Sequence, residues 1–274
     1  MRILCCFVLL ALICSTAAVA QEKKNDDTGT NPINFTYDTR FYIETADFGS
    51  GSQTTGTYEF RAPLGRDLAN LTNQKAGIFN DLGSKHQVRI RFPHKSLNTV
   101  DPTTGTPVNV SGPGDMNFRW LYIPYVTDGW GIATGLEAYL PTATNDLLGT
   151  GRTALVPQIF FGLFGLMGKS SIFAPGYLYV GDVGGDPDRP KVNQHKLDFY
   201  FVWLLGQMRH WLIINPQANI DVGNDQDIFL VDVEFGYMIP PLPGASTYVR
   251  PGVGIGADRP FDWTFEFGLK FIWR

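Results

Sequence analysis

Residues 261–274 alternate almost perfectly in polarity. One parity is apolar and mostly aromatic, and holds Trp263, Phe265, Phe267, Leu269, Phe271 and Trp273. The other parity is polar apart from Ile272, and holds Asp262, Thr264, Glu266, Gly268, Lys270 and Arg274. Because successive side chains of a strand point to opposite faces, this pattern predicts a strand with one aromatic face and one charged face. Such a strand suits either a soluble sheet packed on a core or the wall of a membrane barrel.

The same alternation recurs along the chain after residue 33. It predicts twelve strands, at about 34–46, 55–64, 86–95, 115–126, 130–141, 153–166, 171–181, 196–206, 211–222, 227–238, 246–257 and 261–274. Short connections, such as 127–129, 168–170 and 207–209, alternate with longer ones, such as 98–114, 142–152 and 181–195. Membrane barrels have this layout, with short periplasmic turns and longer extracellular loops. The connection 65–85 is long although it lies at the end of the barrel that is predicted to carry the short turns. This indicates either a helix or plug segment or an error in the strand count.

The polar face distinguishes a membrane barrel from a soluble β-sandwich. In a soluble sandwich that face is mostly solvated Lys, Thr and Ser. Here it carries charges of both signs near the strand middles, opposite a face rich in Phe, Tyr and Trp. A wall in lipid cannot leave a sheet edge open, so it has to close on itself. The sequence therefore predicts an all-β fold, an antiparallel transmembrane β-barrel of about twelve strands, over residues 34–274.

The first twenty residues have the layout of a secretory signal peptide. Arg2 precedes the apolar run 3–14, and the small residues Ala18 and Ala20 mark a cleavage site. All three cysteines lie within this segment, so the exported chain is expected to contain no disulfide. Residues 21–33 are polar and are predicted to be a disordered N-terminal extension. We therefore expect export to a Gram-negative-type cell outer membrane.

Composition narrows the expected partners. A net charge of −4 argues against nucleic-acid binding. Aromatic residues make up 14% of the chain, and no apolar run after residue 20 is long enough for a spanning helix. The expected partners are outer-membrane lipid, the barrel-assembly machinery and a small-molecule solute.

Two stretches of the chain carry a family resemblance. Residues 141–152 read PTATNDLLGTGR, with Pro157 soon after, and residues 112–119 read GPGDMNFR. Together they resemble motifs of the outer-membrane family named for the meta-pathway of phenol degradation. The chain differs from that pattern in having Arg152 where Lys is commoner, with no aromatic residue directly after it. The resemblance extends loosely over 34–274 and implies an outer-membrane channel or transporter without identifying its substrate.

Charged residues on the polar parity are the candidates for lining the lumen. The strongest candidates are Arg40, Arg61, Arg89, Arg91, Arg119, Glu137, Asp198, Asp221, Asp232, Glu234, Arg250, Glu266 and Lys270, and Asp38, Glu44 and Glu59 share their parity. One interpretation is a salt-bridge network that braces the interior, because buried charges need partners. The other is a permeation path with charge selectivity. The first four strands hold five of the arginines and the later strands hold most of the acids, which predicts a transverse field.

The remaining chemistry is sparse. The histidines, His86, His94, His195 and His210, accompany no nucleophile motif and show no metal-ligand spacing. We therefore predict no enzyme activity, no cofactor and no metal. Aromatic residues near strand ends are predicted to be interfacial anchors: Trp120, Tyr122, Trp130, Tyr139, Trp203, Trp211, Tyr237, Tyr248, Trp263 and Trp273.

The function expected from these features is passive uptake of small molecules, hydrophobic or aromatic ones among them, through an outer-membrane channel or transporter. Two alternatives stay open. One is a structural or binding barrel with a closed lumen, and the other is an outer-membrane lipid-modifying enzyme.

Overall fold

A computed structural model describes residues 35–64, 85–101, 103–206 and 209–273. These residues form thirteen strands: β1 (Tyr37–Asp47), β2 (Gly51–Leu64), β3 (His86–Val100), β4 (Pro107–Pro113), β5 (Met116–Val126), β6 (Trp130–Leu140), β7 (Arg152–Phe164), β8 (Ser171–Gly185), β9 (Asn193–Leu205), β10 (His210–Asp221), β11 (Gln226–Met238), β12 (Ala245–Ile255) and β13 (Trp263–Trp273). Among the described residues, no helix is long and apolar enough to cross a membrane.

The strands form one closed antiparallel barrel. Twelve strands pair with their neighbours in chain order, and β1 pairs with β13 along its whole length to close the wall. The thirteenth strand, β4, pairs only with residues 94–100 of β3, whereas residues 86–91 of β3 pair with β5. The predicted fold class, an antiparallel barrel of about twelve strands, is confirmed.

One predicted connection is in fact a hairpin. Residues 98–114 were expected to be a loop, but β3 runs on to Val100 and returns as β4. Proline lacks the N–H that a sheet ladder uses, and here Pro107 and Pro113 occupy the two ends of β4, where that loss is tolerated. Asp101 caps the turn by accepting the backbone N–H groups of Thr103 and Thr104 at 2.7 and 3.1 Å. These two donors lower the pKa of Asp101.

The two ends of the barrel differ in their connections. We call one the loop end; it carries the connections 48–50, 101–106, 141–151, 186–192, 222–225 and 256–262. The other is the turn end, where β1 begins, β13 ends and the connections 127–129, 165–170, 206–209 and 239–244 lie. The predictions for 1–20, 21–33, most of 65–85 and Arg274 fall outside the described residues.

The two faces of the wall have the polarity expected of a barrel in lipid. Phe267 on the outer face is 45% exposed, whereas Lys270 on the inner face is only 1% exposed. Aromatic residues cluster on the outer face, where Trp120, Tyr122 and His86 stack with ring centroids 4.5 to 6.4 Å apart. A soluble protein would bury the phenylalanine and solvate the lysine, so the arrangement is inverted relative to a water-facing barrel.

Three of the predicted interfacial anchors point inward instead. Trp211 is fully buried, and its indole N–H donates to Glu234 at 2.6 Å. It fits because its cross-strand partner is Gly236, where a Cβ would come within 1.9 Å of the ring. Tyr248 similarly lies over Gly268, and Tyr139 packs against a buried apolar cluster of the inner wall. The anchor prediction is therefore wrong for these three residues, which share the parity of the inward-facing Glu137, Asn215 and Arg250 on their own strands.

Candidate functional site

The lumen contains a cavity of about 340 Å³. Nine of the predicted lumen residues line it: Arg40, Arg61, Arg89, Arg91, Arg119, Asp232, Glu234, Arg250 and Lys270. Glu137, Asp198 and Glu266 are buried, but they do not line this cavity. Asp221 lies at the loop end, where it accepts the backbone N–H groups of Gly223 and Asn224 at 3.0 and 3.1 Å. That these residues line a permeation path stays a prediction.

A row of charged residues crosses five strands on the inner wall. Direct cross-strand partners link Asp38, Arg61, Arg89, Arg119 and Glu137 in that order. We call this row the arginine ladder. Three arginines therefore lie side by side on β2, β3 and β5, with one carboxylate at each end of the row.

A second row lies two residues nearer the loop end. It consists of Lys270, Arg40, Glu59, Arg91 and Asn117 on β13, β1, β2, β3 and β5. The fully buried Glu59 bridges the two rows, because it accepts from Arg61 Nε at 2.5 Å and from Arg91 Nε at 2.5 Å. The two rows together hold six cations and three carboxylates, so this part of the wall has an excess of positive charge.

Ion pairs neutralise part of that excess. Arg40 Nε lies 2.7 Å from Asp38 Oδ1, and Arg89 Nη2 lies 2.6 Å from Glu137 Oε1. Arg119 makes no ion pair within 4.0 Å among the described residues, although Glu137 is its cross-strand neighbour. The Nε atoms of Arg89 and Arg119 are buried without a hydrogen-bond partner in that part of the chain.

The acidic side of the lumen is organised around Glu234 on β11. Arg250 forms an ion pair with Glu234, and its Nη1 lies 3.2 Å from Glu266 Oε1. Gln217 donates to Asp232 at 2.8 Å. Arg250 lies on this side too, so the predicted separation of charge across the lumen is only partial.

One part of the cavity wall is apolar, while uncharged polar residues, Thr36, Gln87, Tyr200, Asn215 and Gln217, line another part. Leu121, Ala133, Phe160, Ala174, Val202 and Ile213 contribute to the apolar part from β5 to β10. Ile172, Ala174 and Val202 also form a buried cluster with neighbouring apolar residues. The sequence-based search for charged lumen residues did not identify this wall, and Phe160 and Ala174 lie on predicted strands that are apolar on both parities. The apolar inward parity of these strands was the available signal.

The two stretches that carry the family resemblance meet at the loop end. Asp115 of the first stretch accepts the backbone N–H of Ala143 at 3.1 Å and the backbone N–H of Thr150 at 2.6 Å. Thr142 Oγ1 in turn accepts the backbone N–H of Met116 at 2.8 Å. Arg189 donates to the carbonyl of Gly149 at 2.7 Å. The connection 141–151 is thus held against the start of β5 by contacts between the two motifs.

Three of the four histidines, His86, His195 and His210, contact aromatic rings. Trp120 Nε1 donates to His86 Nδ1 at 3.1 Å, and Tyr177 Oη is 2.7 Å from His195 Nδ1. His210 packs beside Tyr237 with ring centroids 4.9 Å apart. Within the described ranges, no group of three or more His, Cys, Asp or Glu side chains could hold a metal ion.

Comparison with known proteins shows similarity to outer-membrane barrels. An outer membrane channel from Pseudomonas putida F1 matches with a TM-score of 0.63 and 10% identity, covering 92% of this chain and 100% of that chain. The NanC porin matches with a TM-score of 0.54 and 13% identity, covering 86% of this chain and 98% of that chain. Outer membrane phospholipase A from Escherichia coli matches with a TM-score of 0.45 and 15% identity, covering 89% of this chain and 93% of that chain. No protein-family model and no curated protein sequence matches the chain. The fold is therefore that of an outer-membrane β-barrel.

Proposed function

We propose that the protein is a passive channel for small molecules in an outer membrane. The observation that carries this proposal is the cavity of about 340 Å³ inside a closed barrel whose outer face is aromatic and whose inner face is charged. A closed wall of this polarity is stable in lipid because each of the twelve wall strands has two neighbours and the charges stay off the lipid face.

The dimensions favour small solutes. Twelve strands leave little free width once side chains fill the interior. The cavity has a basic wall and an apolar wall, so it can contact both polar and apolar parts of a solute. Uptake of small molecules with an apolar or aromatic part suits this lining.

Export and assembly complete the proposal. The signal peptide expected at 1–20 would deliver the chain to the periplasm, and the barrel-assembly machinery would insert it into outer-membrane lipid. The resemblance of 112–119 and 141–152 to motifs of the meta-pathway-of-phenol-degradation family of outer-membrane channels supports kinship with that family, and the two stretches lie in contact at the loop end. The aromatic partners of His86, His195 and His210 favour a channel over an enzyme.

Solute flux into liposomes tests the proposal. Protein purified from membranes in detergent should cause liposomes to swell in small neutral sugars and amino acids. Ala133 of β6 is 1% exposed and lines the cavity, so Ala133→Trp should reduce the swelling rate. Ala138→Trp, on the outer face of the same strand, is the matched control and should swell liposomes like the wild type. Wild-type protein that is folded and inserted but passes no solute would contradict the proposal.

A further inference from the structure

The arginine ladder is electrostatically incomplete. Arg89 lies directly between Arg61 and Arg119, and like charges opposite one another destabilise a sheet. Charges removed from water also need partners. Glu137 lies beside Arg119 in register but pairs with Arg89. The middle of the ladder is therefore a position where an additional negative charge would be stabilised.

Arg119 and Arg89 offer the donors for that charge. Their Nε atoms are buried and have no hydrogen-bond partner among the described residues. Arg89 is 4% exposed, so bulk water cannot readily satisfy its donor. A guanidinium presents its N–H groups in a planar fork that matches the two oxygens of a carboxylate.

The surface next to the ladder selects for an apolar body. Leu121 follows Arg119 on the inner face of β5, and Ala133, Ala174 and Val202 continue the apolar surface around the cavity. A small inorganic anion would leave this surface in contact with water, whereas an apolar group would cover it. The cavity of about 340 Å³ also has the size of a small-molecule site, which is roughly 300–1,000 Å³.

We infer that the lumen binds organic carboxylates with an apolar or aromatic body. The carboxylate pairs with Arg119 and Arg89, and the body packs on the apolar wall formed by β5 to β10. This inference deepens the proposed function and rests on it for the role of the site in transport. It narrows the solute from any small molecule to an amphipathic anion.

Calorimetric titration of the detergent-solubilised protein tests the inference with three probes at constant ionic strength. Benzoate combines the charge with an aromatic body, acetate keeps only the charge, and benzyl alcohol keeps only the ring. Benzoate should bind saturably and about tenfold or more tightly than either of the others, since it alone makes both contacts. Benzoate that binds no more tightly than acetate, or does not bind at all, would overturn the inference.

Variants of the ladder locate the site. Arg119→Gln should weaken benzoate binding about tenfold or more, because it removes a charge-assisted contact. Arg119→Lys keeps the charge but loses the fork, so it should bind with intermediate affinity. Arg209→Gln, in an exposed turn at the turn end, is the matched control and should bind benzoate like the wild type. Wild-type affinity in both Arg119 variants would overturn the inference.

The design separates this inference from the proposed function. Heat-dependent migration in gels checks that each variant forms the barrel, and if Arg119→Gln does not fold, Arg119→Lys carries the test. Binding in detergent requires no transport. A protein that conducts solutes but does not bind benzoate would disprove the inference alone, whereas one that binds benzoate but conducts nothing would disprove the open channel alone.

Discussion

The Asp115 carboxylate holds Thr150, which lies 35 residues further along the chain, through two hydrogen bonds. The backbone N–H of Thr150 lies 2.6 Å from Asp115 Oδ2, and the Thr150 hydroxyl lies 3.0 Å from the same oxygen. With the bond from Ala143, this one side chain fixes both ends of the connection 141–151. Gly149 lies so close to the carboxylate that a Cβ would come within 2.5 Å of it. The loop end of the barrel is thus ordered by contacts that are distant in sequence.

Removing this carboxylate should free the connection without disturbing the barrel. In Asp115→Ala, local opening of 141–151 should become easier by about 1.5–3 kcal/mol, the usual contribution of hydrogen bonds to a charged group. Amide hydrogen exchange should show faster exchange in 141–151 and unchanged protection in β6 and β7. Asp128→Ala, in the exposed turn 127–129, is the control. Equal exchange in the wild type and Asp115→Ala would show that the contact does not order the loop.

A side chain at Gly236 should destabilise the barrel through Trp211. The Cβ of Gly236→Ala would lie 1.9 Å from Trp211 Cε2 and 2.0 Å from Cζ2. Trp211 is fully buried, so the overlap has to be relieved by strain that costs about 1–3 kcal/mol or more. Denaturant unfolding in detergent measures the change. Gly129→Ala, where a Cβ meets nothing within 4 Å, should stay close to the wild type.

The double variant Gly236→Ala, Trp211→Ala gives the decisive comparison for that contact. Removing the ring removes the overlap, so Gly236→Ala should reduce the free energy of unfolding much less in the Trp211→Ala background than in the wild type. Additive costs of the two substitutions would show that Gly236 matters for another reason.

Glu137 should contribute far more to stability than an exposed carboxylate of the same kind. It is 4% exposed and pairs with Arg89, so Glu137→Gln leaves buried arginines without a counter-charge and should cost about 3–5 kcal/mol. Asp262→Asn removes the exposed partner of Arg259 and should cost at most about 1 kcal/mol. The free energy of unfolding of both variants measures the difference. Similar small losses would mean that the lumen is well hydrated at Glu137.

A charged residue on the outer face should lower the free energy of unfolding more, the deeper it lies in the bilayer. Phe267 lies in the middle of β13 and Trp273 at its end. Phe267→Arg should reduce the free energy of unfolding in lipid by about 2–4 kcal/mol, and Trp273→Arg by only about 0–1 kcal/mol. Refolding into lipid vesicles gives both values. Equal costs at the two positions would contradict a bilayer centred on β13.

The barrel was predictable from sequence because its signal is local. One face of each strand meets lipid and the other meets the lumen, so side-chain polarity alternates from residue to residue. This alternation predicted the positions of β1 to β3 and β5 to β13 to within a few residues. The hairpin of β3 and β4 escaped prediction because Pro107, Pro113 and the glycines of that stretch are typical of loops. Its existence depends on pairing with an overhanging part of β3.

The sequence predicted which charged residues face the lumen, but not how they are arranged there. Parity placed Arg61, Arg89 and Arg119 on the inner face, but that they are direct neighbours depends on register between strands, which one strand's pattern does not contain. Parity also places Trp211 on the inner face, but the space that its ring fills there depends on Gly236 across the pair. The apolar wall was missed because the search for lumen residues followed charged side chains, whereas this wall consists of apolar residues on the inward parity of β5 to β10.

Single-channel recording in planar lipid bilayers tests the central claim most directly. Protein purified in detergent and added to a bilayer in potassium chloride should produce discrete, reproducible conductance steps. Ala133→Trp should lower the step size, and Ala138→Trp should leave it unchanged. Folded protein that inserts but carries no current at any voltage would contradict an open channel and would favour a barrel with a closed lumen.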